Sequence, residues 1–301
     1  MTTRWSRTLD HAGISDLALR GAYSGQRKLV ARFARAEYTA VRLLLPPPVI
    51  PHIVAATAFM HHTDNLIDQG PVKERLAAAD DWRQQVTTAL TRGSSEDPLL
   101  RALTHTISRH PQLHEYVEQF LKGADVEVEW ESFNGEADFQ HYVTAYSLPA
   151  FMLVACLLAP EAPGGEYVTG CRAFIEATQR LDFLDDIAED LAEGRIGITH
   201  DTLARHGLTP EDLRRQPAGF EALLNEQAPL VRAGLEESRS LEHHVPPSSR
   251  PLVRALIDLQ TLRVGAVEKA GPALLDRSTR PPLAAALRLL GREYRAARRH
   301  R

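Results

Sequence analysis

Apolar residues recur along much of the chain at intervals of three and four positions, which places them on one face of an α-helix. This period is clear over residues 52–68, 112–130 and 170–192. Alternating runs of Val, Ile and Thr, which are typical of a β-strand, are scarce. The pattern therefore predicts an all-α protein of roughly ten helices.

Clusters of Pro, Gly and Ser interrupt the helical pattern and predict turns. Residues 94–97 predict a loop that leads into a helix start before Pro98. No interruption is long enough to be a domain linker, and no internal repeat is visible, so we expect one helical domain over residues 1–301. Within it we expect an N-terminal segment over 1–25 and a basic tail over 292–301, typical of a solvated helix end. The interruptions lie at residues 46–48, 70–71, 93–95, 160–165 and 246–249.

Composition excludes several classes of protein. The 301 residues include 35 Lys and Arg against 39 Asp and Glu, a formal net charge of −4, which argues against a nucleic-acid partner. The only cysteines, Cys156 and Cys171, cannot form a disulfide framework and favour a reducing compartment. The longest apolar run, residues 148–160, is shorter than the roughly 20 residues that a bilayer requires. The N-terminus lacks an apolar signal core. We therefore expect a cytoplasmic protein without a membrane span.

Two acidic clusters are the strongest candidates for chemistry. Asp64 and Asp68 are four residues apart, so a helix places both carboxylates on one face; we call this pair the first wall. The apolar residues between them indicate a partly buried helix, where two like charges are costly unless a cation lies between them. Such a pair is also common on solvated surfaces, so the spacing alone is a weak signal.

The second cluster places Asp182, Asp186 and Asp190 at intervals of four, and we call these three residues the second wall. Five acids in nine residues make a poor isolated helix because like charges four apart repel each other. A solvated acidic face remains an alternative for this stretch.

Together, the two walls favour Mg²⁺, which prefers carboxylate and water oxygens and is often completed by substrate phosphates. The chain has no Cys/His pattern typical of zinc and no Gly-rich phosphate loop. The expected cofactor is therefore Mg²⁺, as two or three ions bound together with a diphosphate.

Residues 179–213, QRLDFLDDIAEDLAEGRIGITHDTLARHGLTPEDL, resemble the second aspartate-rich segment of the squalene/phytoene synthase family. Residues 57–68, TAFMHHTDNLID, resemble the first such segment, and residues 37–46, EYTAVRLLLP, resemble the helix upstream of it. Leu121 to Gly123 with Glu127 fall where the family has a G-M-x-x-D segment. The resemblance implies the all-α isoprenoid synthase fold, with a central cavity between the two walls.

The resemblance also assigns roles to individual residues. It implies metal binding by Asp64, Asp68, Asp186 and Asp190. Asp182 stands where the family has Asn and is a further candidate ligand. Gln179 and Glu189 are expected to line the cavity or to support the ligands.

Departures from the family pattern point to a changed substrate. Family arginines are replaced by His61 and Asp185, and a family tyrosine by Thr57. Residues 194–199 depart from the family's G-R-x-Y-L-P, and residues 146–151, YSLPAF, replace a segment of small residues. The loss of positive charge and the bulkier segment disfavour the binding of two long prenyl diphosphates. Each methylene group of a prenyl chain that cannot be buried loses about 0.8 kcal/mol of binding free energy.

We therefore expect a prenyltransferase that moves a short prenyl group, with dimethylallyl diphosphate as the donor, onto an aromatic acceptor such as a carbazole in secondary metabolism. The alternative is head-to-head condensation of two farnesyl or geranylgeranyl diphosphates, as in phytoene, presqualene or dehydrosqualene synthases. A non-catalytic helical module that only keeps the acidic walls is the third possibility. The sequence is also compatible with a homodimer.

Several other side chains are candidates for substrate binding and proton transfer. His61 and Glu127 are candidate bases. Arg195 is a candidate diphosphate clamp, but it could instead cap a helix or pair with Glu193. Ordinary core packing is the alternative for each aromatic side chain. The remaining substrate-binding candidates are Lys28, Arg42 or an arginine of the C-terminal third for the diphosphate, and Phe59, Tyr146, Phe151 and Phe183 for the allylic cation and the pocket.

Replacing Phe151 by Ala should enlarge the pocket and let longer prenyl diphosphates react. The measurement is the relative rate with donors of increasing chain length. An unchanged donor preference would show that Phe151 does not limit the tunnel.

Overall fold

The computed structural model describes residues 4–159, 164–213, 215 and 217–299. The first three residues of the expected N-terminal segment, the last two of the basic tail and the predicted turn residues 160–163 lie outside this range. The described residues form sixteen α-helices and no strand, which confirms the all-α class. Their bounds are α1 Arg4–His11, α2 Leu17–Phe33, α3 Arg35–Leu44, α4 Ile50–Ile67, α5 Val72–Arg92, α6 Pro98–Arg109, α7 Leu113–Glu129, α8 Glu136–Tyr142, α9 Leu148–Ala155, α10 Gly165–Asp185, α11 Ile187–Ala192, α12 His200–Arg205, α13 Pro217–Glu237, α14 Leu241–His244, α15 Arg250–Ala270 and α16 Leu283–Arg299.

The helix count exceeds the predicted ten because several long helices are broken into short consecutive segments. A π-helical turn over Val143–Ser147 joins α8 to α9, and a single residue, Asp186, separates α10 from α11. Turns of π-helix are often found at functional sites. Both interruptions lie beside acidic walls, as described below.

The predicted start of α6 is confirmed. Asp97 has extended backbone angles, and its Oδ1 accepts hydrogen bonds from the backbone N–H groups of Leu99 at 2.8 Å and Leu100 at 3.0 Å. Pro98 occupies the first helical position, where its missing N–H has no consequence.

Helix α4 is buried on almost all sides, which fits its weak separation of apolar and polar positions. It packs against α2, α5, α6, α7 and α9. A large apolar cluster extends from Trp5 on α1 to Ala297 on α16, and the single domain over residues 1–301 stays a prediction. No helix among the described residues is long and apolar enough to cross a membrane.

A buried polar cluster joins α2, α4 and α6. The Tyr23 hydroxyl lies 2.9 Å from His105 Nδ1 and 2.8 Å from Thr106 Oγ1. His52 Nδ1 lies 3.2 Å from Thr106 Oγ1, and its ring meets that of His110 edge-on at 4.7 Å. The pKa of His52 is lowered from 6.5 to about 3, chiefly by burial and in addition by the charges of His110, His105 and Arg109.

Protonation of His52 in the unfolded chain should lower the free energy of unfolding as the pH drops below 6.5, against the opposite contribution of buried carboxyl groups such as Glu127, whose pKa is raised to about 7. The folded chain keeps His52 neutral down to a pKa of about 3, whereas the unfolded chain takes up a proton near 6.5. Between those values the unfolded state binds more protons, so one such histidine costs about 1.4 kcal/mol per pH unit. Burial also lowers the pKa values of His105 and His110, which adds to the effect. Urea unfolding of the wild type and of His52→Gln from pH 8 to pH 5 checks this: the stability of the variant relative to the wild type should rise as the pH falls, and an unchanged difference would contradict the assignment.

Candidate active site

The first wall lies at the end of α4, where Asp64 and Asp68 follow each other by one helical turn. The Tyr146 hydroxyl, from the π-helical turn, donates a hydrogen bond of 2.8 Å to Asp64 Oδ1. The pKa of Asp64 is raised to about 7, chiefly by burial and in addition by the charges of Asp68 and Glu127. The first wall therefore carries more negative charge than the neighbouring side chains balance.

Glu127 on α7 faces the first wall. The Tyr142 hydroxyl donates to Glu127 Oε2, and Arg195 Nη1 lies 3.9 Å from Glu127 Oε1. Burial is the main reason why the pKa of Glu127 is raised to about 7. A carboxyl group with such a pKa can gain or lose a proton near neutral pH.

Arg195 lies between the two walls. Burial raises the pKa of Asp68 on the first wall and of Asp190 on the second, and the positive charge of Arg195 offsets part of each rise. Its guanidinium carbon lies 5.1 Å from the centroid of the Trp130 ring, and Nη2 lies 2.5 Å from Glu193 Oε2. The expected pairing with Glu193 is therefore present, and the same guanidinium also faces the acidic walls.

The loop that carries Arg195 is fixed by backbone contacts. The Ile196 N–H donates to the Glu131 carbonyl at 2.9 Å, which docks the loop on the chain that follows α7. A Cβ at Gly197 would lie 2.0 Å from Cγ of Phe183, so only glycine lets the loop approach this ring. These contacts fix the position of Arg195 between the two walls.

The second wall is split between two helices. Asp182 lies on α10 and Asp190 on α11, while Asp186 leaves helical geometry with φ −95° and ψ 10°. The continuous stripe that the spacing predicts is therefore broken at Asp186, where adjacent like charges disfavour an uninterrupted helix. The pKa values of Asp186 and Asp190 are each raised to about 6, chiefly by burial.

Arg263 on α15 supplies positive charge to the second wall. Its Nη1 donates to Asp182 Oδ1 at 2.7 Å, and its Nη2 donates to Asp185 Oδ2 at 3.2 Å. Asp182, a candidate metal ligand, is thus already paired with a guanidinium. Asp185 pairs with the same guanidinium, so the two carboxylates share one positive charge and the three side chains together keep a net charge of −1 when both acids are ionised.

The aromatic candidates differ in what they can contact. Phe59 is 0% exposed, beside Trp82 at 6.0 Å, so it offers no ring face to a substrate in this structure. Phe183 is buried and stacks on Trp130 at 5.0 Å. For both residues core packing, the alternative interpretation, describes the observed contacts. Phe151 on α9 is only half-buried and remains a candidate for the pocket.

His61 lies beside the first wall. Its ring stacks on Phe33, with centroids 3.5 Å apart, and its Nε2 lies 3.0 Å from Asn65 Nδ2. The charge of His61 lowers the pKa of Asp68, which places the imidazole near that carboxylate.

The remaining candidates are distributed around the bundle. Gln179 on α10 accepts a hydrogen bond of 3.0 Å from the Ser147 hydroxyl, which ties α10 to the π-helical turn. Lys28 is exposed on α2. The Arg42 guanidinium lies 5.5 Å from the Tyr38 ring centroid. The expected role of Lys28 and Arg42 in diphosphate binding stays a prediction.

Sequence reasoning missed Arg75 and Tyr142, and it expected an arginine of the C-terminal third at the diphosphate without identifying Arg263. Arg75 on α5 donates to the Ile67 carbonyl at 3.1 Å and lowers the pKa of Asp68 and Glu127. Neither Arg75 nor Arg263 belongs to an acidic motif, and only the packing of their helices brings them to the walls. Tyr142 could have been suspected from its place four residues before Tyr146, on the same face of a helix.

The walls fit a hard divalent cation. Among the described residues, no three His, Cys, Asp or Glu side chains converge into a complete metal centre. Mg²⁺ commonly binds one or two carboxylates and takes its other ligands from water and substrate phosphates, so two incomplete walls suit it. Asp64, Asp68, Asp186 and Asp190 have the oxygen donors for this role.

An all-α bundle with two carboxylate walls and basic side chains between them defines the class of isoprenoid synthase folds. Within that class, the family model for squalene/phytoene synthase matches residues 31–296, and the chain belongs to this family. Its members are prenyltransferases that act on prenyl diphosphates. The resemblance seen in the aspartate-rich segments is thereby confirmed.

Sequence relatives include a bifunctional protein CrtB/UppS of Streptomyces coelicolor, 29% identical over 232 residues that cover 75% of this chain and 40% of the relative. Phytoene synthase 2 (chloroplastic) of Solanum lycopersicum is 26% identical over 199 residues, which cover 64% of this chain and 63% of the relative. The chain therefore spans less than two thirds of the length of either relative.

Two solved structures share the fold. A dehydrosqualene synthase in complex with a ligand aligns with a TM-score of 0.82 at 19% identity, covering 93% of this chain and 98% of that one. Squalene synthase HpnC from Alicyclobacillus acidocaldarius aligns with a TM-score of 0.71 at 24% identity, with the same two coverages. At these identities the likeness shows the fold alone.

Replacing Asp64 or Asp186 by Ala should abolish turnover of a prenyl diphosphate while the helical fold persists, because each change removes one carboxylate from a wall. Pyrophosphate release measures turnover, and circular dichroism measures the fold. Asp80→Ala is the control, since Asp80 is exposed on α5 and paired with Arg83. A near-normal rate in either wall variant would remove that residue from the site.

Proposed function

We propose that the chain is a Mg²⁺-dependent prenyltransferase that joins two prenyl diphosphates head to head, in the manner of phytoene, presqualene or dehydrosqualene synthases. The observation that carries this proposal is the cluster of arginines at the walls: Arg75 and Arg195 beside Asp68, and Arg263 beside Asp182. Two diphosphates bring many negative charges, and these three guanidiniums offer charge to receive them.

This proposal reverses the order that the sequence suggested. The sequence favours aromatic prenylation because family arginines are replaced at positions 61 and 185, which indicates too little positive charge for two substrates, and because residues 148–151 are bulkier than the family's small residues. The structure returns one guanidinium to the second wall through Arg263, which pairs with Asp185. The phytoene synthases among the sequence relatives also support head-to-head condensation better than carbazole prenylation.

The side chains divide the reaction between binding and proton transfer. Arg195 and Arg75 would bind the diphosphate at the first wall, and Arg263 at the second. Mg²⁺ held by Asp64, Asp68, Asp186 and Asp190 would neutralise the departing diphosphate. Joining two allylic chains releases one diphosphate and one proton. Glu127, with a pKa of about 7, or His61 would accept that proton.

Aromatic prenyl transfer remains the second candidate. It is favoured by the Leu148–Phe151 segment at the start of α9, where half-buried Phe151 packs on Phe174 at 5.2 Å and would shorten a tunnel along that helix. It is also favoured by His61, whose stacking on Phe33 places an imidazole where the family resemblance expects an arginine. In this second proposal, dimethylallyl diphosphate is the donor and a carbazole-like ring is the acceptor.

Incubation with Mg²⁺ and single prenyl diphosphates, followed by mass analysis, separates the two candidates. Head-to-head condensation predicts that farnesyl or geranylgeranyl diphosphate alone is consumed, with pyrophosphate and a product of twice the chain length. Consumption of dimethylallyl diphosphate only in the presence of a carbazole would contradict the first proposal and support the second.

The third possibility, an inert helical module, predicts no response to substrate. An enzyme should instead be stabilised against heat by Mg²⁺ together with a prenyl diphosphate, because a ligand that binds only the folded state shifts the equilibrium towards it. Asp64→Ala is the matched control and should lose the shift.

A further inference from the structure

Asp185 is a buried acid in the last turn of α10, and both of its oxygens have partners. It is 3% exposed. Oδ2 accepts from Arg263 Nη2 at 3.2 Å, and Oδ1 accepts from the backbone N–H of Thr279 at 2.7 Å. A buried carboxylate is costly unless it is paired in this way, so the two contacts account for its presence.

The guanidinium of Arg263 is held at several points. Its Nη1 donates to Asp182 at 2.7 Å and to Gln260 Oε1 at 3.1 Å, while Nη2 donates to Asp185. Asp182 and Asp185 lie on the same turn of α10, so their two carboxylates both bind the guanidinium and fix the orientation of its plane. The Arg263 side chain keeps 21% of its surface exposed. The guanidinium is thus held in one orientation while part of the side chain remains accessible to solvent.

Thr279 belongs to the segment of residues 276–282, which leads from a 3₁₀ turn at Gly271–Leu275 into α16. That 3₁₀ turn contacts α11, the helix that carries Asp190. The bond from Thr279 to Asp185 therefore fastens this segment to the end of α10, next to the break in the second wall.

We propose that Asp185 is a positioning residue of the second wall, whose buried carboxylate fixes the Arg263 guanidinium beside Asp182 and fastens residues 276–282 to the end of α10. This inference rests on the proposed function, because the group so positioned is a cation at a diphosphate site. The positive charge that the family resemblance expects at position 185 on α10 is supplied here from α15, and an acid at 185 keeps it in place.

Asp185→Asn tests the proposal with little change in volume. The amide can still accept from Thr279, but it no longer carries the charge that holds Arg263. Pyrophosphate with Mg²⁺ should then bind about tenfold more weakly by calorimetry, since small displacements of a positioned group are costly. The KM for farnesyl or geranylgeranyl diphosphate should rise by a similar factor, and kcat should change much less.

Two further variants keep the test decisive. Arg263→Lys retains the charge but cannot bridge two carboxylates, so it should weaken pyrophosphate binding in the same way, even if Asp185→Asn fails to fold. Asp258→Asn is the matched control on the same helix, because Asp258 pairs with Arg239 and Arg292. It should change thermal stability without changing pyrophosphate affinity or KM.

The outcomes separate this inference from the proposed function. If the wild type consumes prenyl diphosphates but Asp185→Asn and Arg263→Lys bind pyrophosphate as it does, the positioning role is refuted and the function stands. If the wild type binds Mg²⁺ and pyrophosphate in an Asp185-dependent way but turns over no prenyl diphosphate, the function fails and the positioning role stands. An absence of both binding and turnover in the wild type would overturn both.

Discussion

Burial of like charges is the constraint on which the rest of the site depends. The pKa values of Asp64, Glu127, Asp186 and Asp190 are raised to about 6 or 7, chiefly by burial and in addition by neighbouring negative charges. Such a cluster is unfavourable in isolation, because carboxylates lose hydration and repel each other. The hydroxyls of Tyr142 and Tyr146 donate hydrogen bonds to these carboxylates, and guanidiniums from other parts of the chain supply positive charge. A cation and a substrate would have to balance the negative charge that remains.

Each guanidinium reaches the walls from a different part of the chain. Arg75 comes from α5, Arg195 from the loop after α11, and Arg263 from α15. Because the three are fixed by separate contacts, the positive charge is spread over both walls. This arrangement suits a ligand that bridges them, as a diphosphate bound between two carboxylate walls would do.

The hydrophobic frame explains why the polar groups stay in place. Helix α4 is buried on nearly all sides, so the carboxylates at its end are carried by a helix with little freedom to move. Trp130, Tyr142 and Phe183 form a smaller aromatic cluster under the Arg195 loop. Their packing leaves no room for a side chain at Gly197, so contacts with the aromatic rings fix how closely the Arg195 loop approaches them.

The fold class and the family could be predicted from the sequence, because helical periodicity and the aspartate-rich segments are local features that depend on spacing alone. Asp64, Glu127 and Arg195 were identified in the same way, although their roles remain proposals. Phe59 was misjudged because a phenylalanine in a core and one lining a pocket look alike in a sequence. The break at Asp186 was also missed, since periodicity does not reveal where repulsion ends a helix.

What the sequence by itself determined was the presence of two acidic segments on helices and the class of chemistry that they suit. Only the tertiary structure decided which cations meet them. The pairing of Asp185 with Arg263 joins residues far apart in the chain, and charge balance in a buried site is a property of such pairs rather than of any motif. In the sequence, an acid at position 185 suggests a loss of positive charge. In the folded protein, the same acid pairs with Arg263 and holds that arginine in place.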